Sequence, residues 1–158
     1  MRAVKALPLF LAFLAAGCTS APNRAPVAPT SSIRASSEMA DDAATHALKM
    51  VGRPYRYGGS TPAGFDCSGL IQYSFGKAGL SLPHGTDKLR GVSNVVKTSD
   101  LRRGDLLFFS QEGKRYGHAG IYLGNGRFVH APSSGKSVRI DALGAAYWTR
   151  HLSEARRI

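Results

Sequence analysis

Cysteine, tryptophan and acidic side chains are scarce in this sequence. Its two cysteines, Cys18 and Cys67, are too few for a disulfide-stapled scaffold or a four-cysteine zinc site. Ten Asp and Glu stand against 21 Lys and Arg, a formal charge of +11. Of the histidines, His46, His84 and His151 make no ligand-spaced cluster with acidic residues; no metal is expected, and no cofactor. The one long apolar run, Leu7 to Ala16, is too short to cross a bilayer as a permanent helix.

What is present begins with an export layout. Arg2 and Lys5 precede the apolar run, and small residues lead to Gly17-Cys18, which reads residues 1–17 as a signal peptide. Ala15-Ala16-Gly17-Cys18 resembles the lipobox of bacterial lipoproteins, in which cleavage leaves the cysteine as a lipidated N-terminus. Leu14 falls one place further from Cys18 than is usual, and an ordinary cut near Ala16 is the alternative. Thr19, where an acidic residue would retain such a protein at the inner membrane, points to the periplasmic face of the outer membrane. Residues 18–37 are rich in Pro, Ala, Ser and Thr and read as a flexible tether, leaving 38–158 as one small domain. The export signal and the scattered placement of the basic residues exclude nucleic acid as a partner. The basic charge permits attraction to an acidic cell wall or membrane.

Within the domain, Glu38 to Val51 predicts a helix capped by Ser37, with Met39, Ala43, Ala47, Met50 and Val51 on its apolar face. Leu70, Ile71, Ser74, Phe75 and Ala78 predict a second helix, and a short third is expected over Thr86 to Leu89. Gly91 to Ser99 reads as loop or a poorly defined strand. Leu106 to Phe109 is a continuous apolar run of strand type, and Gly117 to Ala131 reads as a hairpin about Gly124-Asn125-Gly126. Ser137 to Ile140 would be a further strand. Tyr147, Trp148 and Leu152 belong to a segment that packs back or ends the sheet. Helices first and antiparallel strands after make an α+β domain.

Cys67 lies at the start of the second helix, preceded by the glycine-rich loop Gly58-Gly59-Ser60-Thr61-Pro62. With Cys18 lipidated, Cys67 has no disulfide partner, and an unpaired thiol in an exported protein calls for a chemical use. A helix N-terminus favours thiolate, and together with a protonated His118 it would bring the pKa into the range of about 3.5–7.5 known for reactive cysteines. Asp66 either caps the helix or joins the site. A base for the thiol is available only if His118 and His130 share a face. A three-residue loop pairs Gly120 with His130 and sets the histidines diagonally, whereas a two-residue turn would separate them, so the three-residue loop with Gly126 left-handed is expected. Gly120 leaves space beside the histidine.

The stretches Pro54-Tyr55-Arg56-Tyr57-Gly58-Gly59, Phe65-Asp66-Cys67-Ser68-Gly69-Leu70, Arg103-Gly104-Asp105-Leu106, Gly117-His118-Ala119-Gly120-Ile121-Tyr122-Leu123-Gly124 and Phe128-Val129-His130-Ala131 resemble, in order, the motifs of the NlpC family of bacterial cell-wall cysteine peptidases. The tail, Tyr147-Trp148 with Glu154-Ala155-Arg156-Arg157, is similar to the murein endopeptidase lipoproteins of that family. The resemblance implies a papain-like fold and hydrolysis of peptide bonds in peptidoglycan stem peptides or their cross-links. It makes Cys67 the nucleophile, His118 the base and His130 the group that orients it. Tyr55 would stand beside the thiol to support the oxyanion, with Tyr57 as a rival. The partners implied are peptidoglycan and, through Cys18, a membrane, with the protein a monomer. The alternatives are a cysteine amidase or acyltransferase on another substrate, and a non-catalytic cell-wall binding protein.

Overall fold

A computed structural model of the protein describes residues 30–158, so the signal peptide, Cys18 and the first part of the expected tether lie outside the described residues. The first helix, α1, spans Thr30–Leu48. It begins before the expected Glu38, and Ser37 sits inside it rather than capping it. Pro29 is the last helix breaker upstream, and no Gly or Pro interrupts the sequence from there to Leu48, so nothing stops the helix at Ser37. Its buried face is Ala43, Ala44 and Ala47, while Val51 lies beyond its end and is 45% exposed.

The chain next forms a short hairpin, β1 (Ser60–Thr61) and β2 (Gly64–Phe65), and enters α2 (Cys67–Lys77). After α3 (Thr86–Gly91) comes β3 (Asn94–Val96), a definite strand where a loop or weak strand was expected. The strands β4 (Leu106–Gln111), β5 (Lys114–Gly124), β6 (Arg127–His130) and β7 (Arg139–Ala142) follow, then α4 (Ala146–His151) and β8 (Leu152–Arg157). They form a six-stranded antiparallel sheet in the order β3-β8-β4-β5-β6-β7. The C-terminal segment thus packs back through α4 and then inserts within the sheet instead of ending it. A strand as charged as β8 is tolerated there because its charges are paired. Glu154 accepts from Arg90 and Arg156, and Arg157 donates twice to buried Asp105 at 2.7 Å.

β4 is buried on both faces, which accounts for its unbroken apolar run. On one face Leu106 and Phe108, with Ala119, Ile121 and Val129, pack against Ala43, Ala47, Leu70, Ile71 and Phe75 of the helices. On the other, Leu107, Phe109, Phe128 and Ala155 are covered by Trp148 of α4.

The β5–β6 hairpin has the expected register but not the expected closure. Ile121 pairs with Val129 and Tyr122 with Phe128, which sets Gly120 opposite His130. Gly124 pairs with Arg127, so the connection is the two-residue turn Asn125-Gly126, with φ of 52° and 66° as a type I′ turn requires. A register shift between Tyr122 and Gly124 takes up the extra residue. That bulge keeps both histidines on one face despite the short turn.

Candidate active site

Cys67 is the first residue of α2 and is held there by its neighbours. Asp66 is the N-cap: its Oδ1 accepts from the Gly69 N–H at 2.6 Å and from Ser68 Oγ at 2.9 Å. Its Oδ2 accepts from the Gly58 N–H at 3.0 Å, which binds the glycine loop to the helix start. The Gly59 carbonyl accepts from the Asp66 N–H at 2.9 Å. Gly69 must be glycine because a Cβ there would overlap that same Gly59 carbonyl. Loop, cap and helix are thereby locked together around the half-buried free thiol.

The imidazoles are supplied by the sheet. His118 on β5 and His130 on β6 are both buried, with His118 Nε2 2.8 Å from His130 Nδ1 and their ring centroids 5.0 Å apart. Trp148 stacks on His118 and meets His130 edge-on, at 5.7 and 4.9 Å between centroids. Gly120 gives His130 its room, since a Cβ would come to 2.8 Å from the Phe128 ring and 3.2 Å from His130 Cβ. Behind His130, its Nε2 lies 3.1 Å from Asp141 Oδ2 on β7. The N-terminus of α2 abuts β5, and the backbone of Ala119, the residue after His118, lies close enough to the Cys67 sulfur to favour its ionised form. Cys67 and His118 line one cleft of about 780 Å³, together with Tyr55, Tyr57, Asp66 and His84.

Burial sets the protonation of the resting site. It pushes the Cys67 thiol up to about 11, against the hydrogen bonds from the Ala119 and Ser68 backbone and with the help of the Asp66 charge. It pushes His118 down to about 3, with the neighbouring His130 adding to the fall, and His130 down to about 4 in spite of Asp141. The expected thiolate is therefore corrected. Desolvation of the sulfur against β5 outweighs the helix N-terminus, and the resting pair is a neutral thiol beside a neutral imidazole.

The two tyrosines are distinguished by the fold. Tyr55 is half-buried and packs on the core, and its phenol is raised by burial and by the nearby Cys67. Tyr57 is 89% exposed at the rim. Two residues passed over in the sequence also stand here. Asp141 lies one position beyond the strand expected to end at Ile140, on the same alternation as Arg139, the partner of His130. His84 reaches Asp66 from the loop before α3, at 2.8 and 2.9 Å from its two oxygens. No periodicity marks that contact in the sequence.

A thiol at a helix N-terminus, set against an antiparallel sheet that carries paired imidazoles, defines an α+β domain of the papain-like cysteine–histidine class. Residues 52–157 match the family model described as NlpC/P60 family, the greater part of the chain, and the chain belongs to that family. It is 40% identical over 129 residues to the bifunctional muramidase/DL-endopeptidase CwlT of Bacillus subtilis (strain 168), covering 80% of this chain and 39% of CwlT. It is 44% identical over 105 residues to the murein DD-endopeptidase MepS/murein LD-carboxypeptidase of Escherichia coli (strain K12), covering 66% of this chain and 55% of MepS. Among solved structures it is similar to an NLP/P60 family protein, described as similar to lipoprotein, from Staphylococcus aureus subsp. aureus Mu50. That likeness has a TM-score of 0.67 at 37% identity and covers 77% of this chain and 41% of the other. The chain spans less than two thirds of the length of each of these proteins.

Proposed function

We propose that this protein is a cysteine endopeptidase that hydrolyses peptide bonds in peptidoglycan stem peptides or their cross-links. One observation carries the reading: the free thiol of Cys67 and the His118 imidazole line one cleft, with His130 buried behind His118, in a chain whose relatives include proteins named as endopeptidases, one of them a murein endopeptidase. The cleft volume lies in the range of sites that hold a small-molecule-sized group.

The neutral resting pair shapes the mechanism. As the sulfur of Cys67 attacks the scissile carbonyl, neutral His118 takes the thiol proton, so the thiolate forms only with substrate in place. The carbonyl oxygen gains negative charge beside the Tyr55 hydroxyl and the N-terminus of α2, which support it. The His118 imidazolium then protonates the leaving amine, and the C–N bond breaks to leave an acyl-enzyme. Water, deprotonated by His118, attacks that thioester, and the peptide carboxylate and the thiol are released. His130 holds the His118 ring in place throughout. The chain would work as a monomer at the periplasmic face of the outer membrane, tethered through a lipid on Cys18.

Digestion of purified muropeptides under reducing conditions tests the activity. Wild type should shorten stem peptides, and Cys67→Ala should lose essentially all turnover. A wild type that cleaves none, or an alanine variant that still cleaves, refutes the reading. Incorporation of labelled fatty acid by wild type and not by Cys18→Ala tests the anchor, and equal labelling of the two excludes it.

A further inference from the structure

The hydrogen-bonded path from the cleft continues past His130. Arg139 pairs with His130 across β6 and β7, and strand alternation sets Asp141 on the same face as Arg139. Asp141 Oδ2 lies 3.1 Å from His130 Nε2, and the same oxygen accepts from Trp148 Nε1 at 2.9 Å and from Arg139 Nη2 and Nε at 2.8 and 3.2 Å. An indole N–H and a guanidinium can only donate, so the oxygen they share is an acceptor. Burial alone would raise the Asp141 carboxyl, but the Arg139 and Trp148 hydrogen bonds hold it below the usual carboxylate range.

We propose that Asp141 is a positioning residue that fixes the tautomers of both histidines and so presents His118 Nδ1 to Cys67 as a lone pair. This rests on the reading of Cys67 and His118 as nucleophile and base. An ionised carboxylate accepts and does not donate, so the proton in the Asp141–His130 bond sits on His130 Nε2. Neutral His130 then has its lone pair on Nδ1. The 2.8 Å bond to His118 is therefore donated by His118 Nε2–H, which leaves His118 Nδ1 unprotonated. In the opposite tautomer Nδ1, the only ring nitrogen of His118 not engaged with His130, would already carry a proton and could not take one from the thiol. Trp148 and Arg139 keep the carboxylate itself from rotating, so one acid anchored by α4 and β7 sets the state of a nitrogen two imidazoles away.

Long-range proton–nitrogen NMR on protein labelled with nitrogen-15 in histidine reads the tautomers at neutral pH, alongside muropeptide kinetics. In wild type, His118 and His130 should both carry the proton on Nε2. In Asp141→Ala, kcat should fall on the order of 10–100-fold, by analogy with the loss when the partner that orients a metal-bound histidine is removed. KM should change little, and an Nδ1–H population of His118 should appear. In Asp141→Asn the Arg139 and Trp148 donors hold the amide oxygen toward His130, so the Nε2–H form and most of kcat should return. A wild-type Nδ1–H tautomer on either histidine overturns the proposal, as does an alanine variant with unchanged kcat. Should Asp141→Ala not fold, the wild-type spectrum and the asparagine variant decide. Should wild type cleave no muropeptide, the functional reading falls, while the tautomer measurement still decides the role of Asp141.

Discussion

Two aspartate–histidine pairs stand beside Cys67 and His118, built from the same residue types for different tasks. In the first, Asp66 meets His84 at the rim, where the side chains are 13% and 32% exposed. The Asp66 carboxylate also accepts from the Gly58 and Gly69 backbone and from Ser68, so its main work is to hold the main chain under Cys67. In the second, Asp141 meets a fully buried His130, and its remaining donors are side chains. That carboxylate holds a ring, which holds a second ring. The contrast teaches that an aspartate–histidine contact takes its meaning from what else the carboxylate grips and from how much water reaches the imidazole.

Breaking the buried pair should have the larger effect. In His130→Ala, His118 loses the acceptor for its Nε2–H, and a loss of roughly 100- to 1,000-fold in kcat on muropeptides is expected, within the range of general acid–base catalysis. The same residue should govern acid stability. His118 and His130 are depressed in the folded protein to about 3 and 4, from 6.5. The unfolded chain therefore binds protons first. Their contribution is fully present above about pH 6.5 and is lost as the pH falls towards 4 and then 3. Urea denaturation at a series of pH values should show this decline in wild type and a shallower one in His130→Asn. Equal slopes would mean that the buried imidazoles are not what acid attacks.

The difference between the pairs also marks how far the sequence could be read. The Cys67 end was legible because its determinants are local: a cap, a glycine loop and a helix within a few residues. The shared face of His118 and His130 was legible by counting along a hairpin, although the turn was assigned the wrong length. One unpaired residue near Leu123 compensates for that error, and alternation of side chains cannot show a bulge. Asp141 stayed hidden because its meaning depends on Trp148 arriving from α4, a tertiary contact with no local signature. The protonation of the thiol is not legible for a similar reason. A helix N-terminus can be seen in the sequence, but the packing of β5 over the sulfur cannot. The start of α1 is not legible because a composition of small polar residues resembles a tether, even where no breaker is present.

The exposed pair supplies the smaller effects. Asp66→Ala removes the cap of α2 and leaves the Gly58 and Gly69 amides without their acceptor, and a loss of about 1–2 kcal/mol in urea denaturation is expected. His84→Gln should cost least. Asp66 keeps its backbone and Ser68 donors when the imidazole is gone, and even a fully charged pair this exposed contributes only about 0–1 kcal/mol after screening and side-chain ordering. Measured side by side, the two substitutions separate the roles of one carboxylate. If His84→Gln proved as damaging as Asp66→Ala, the rim pair would be holding the fold as the cap does, and the division between a main-chain anchor and a side-chain anchor would fail.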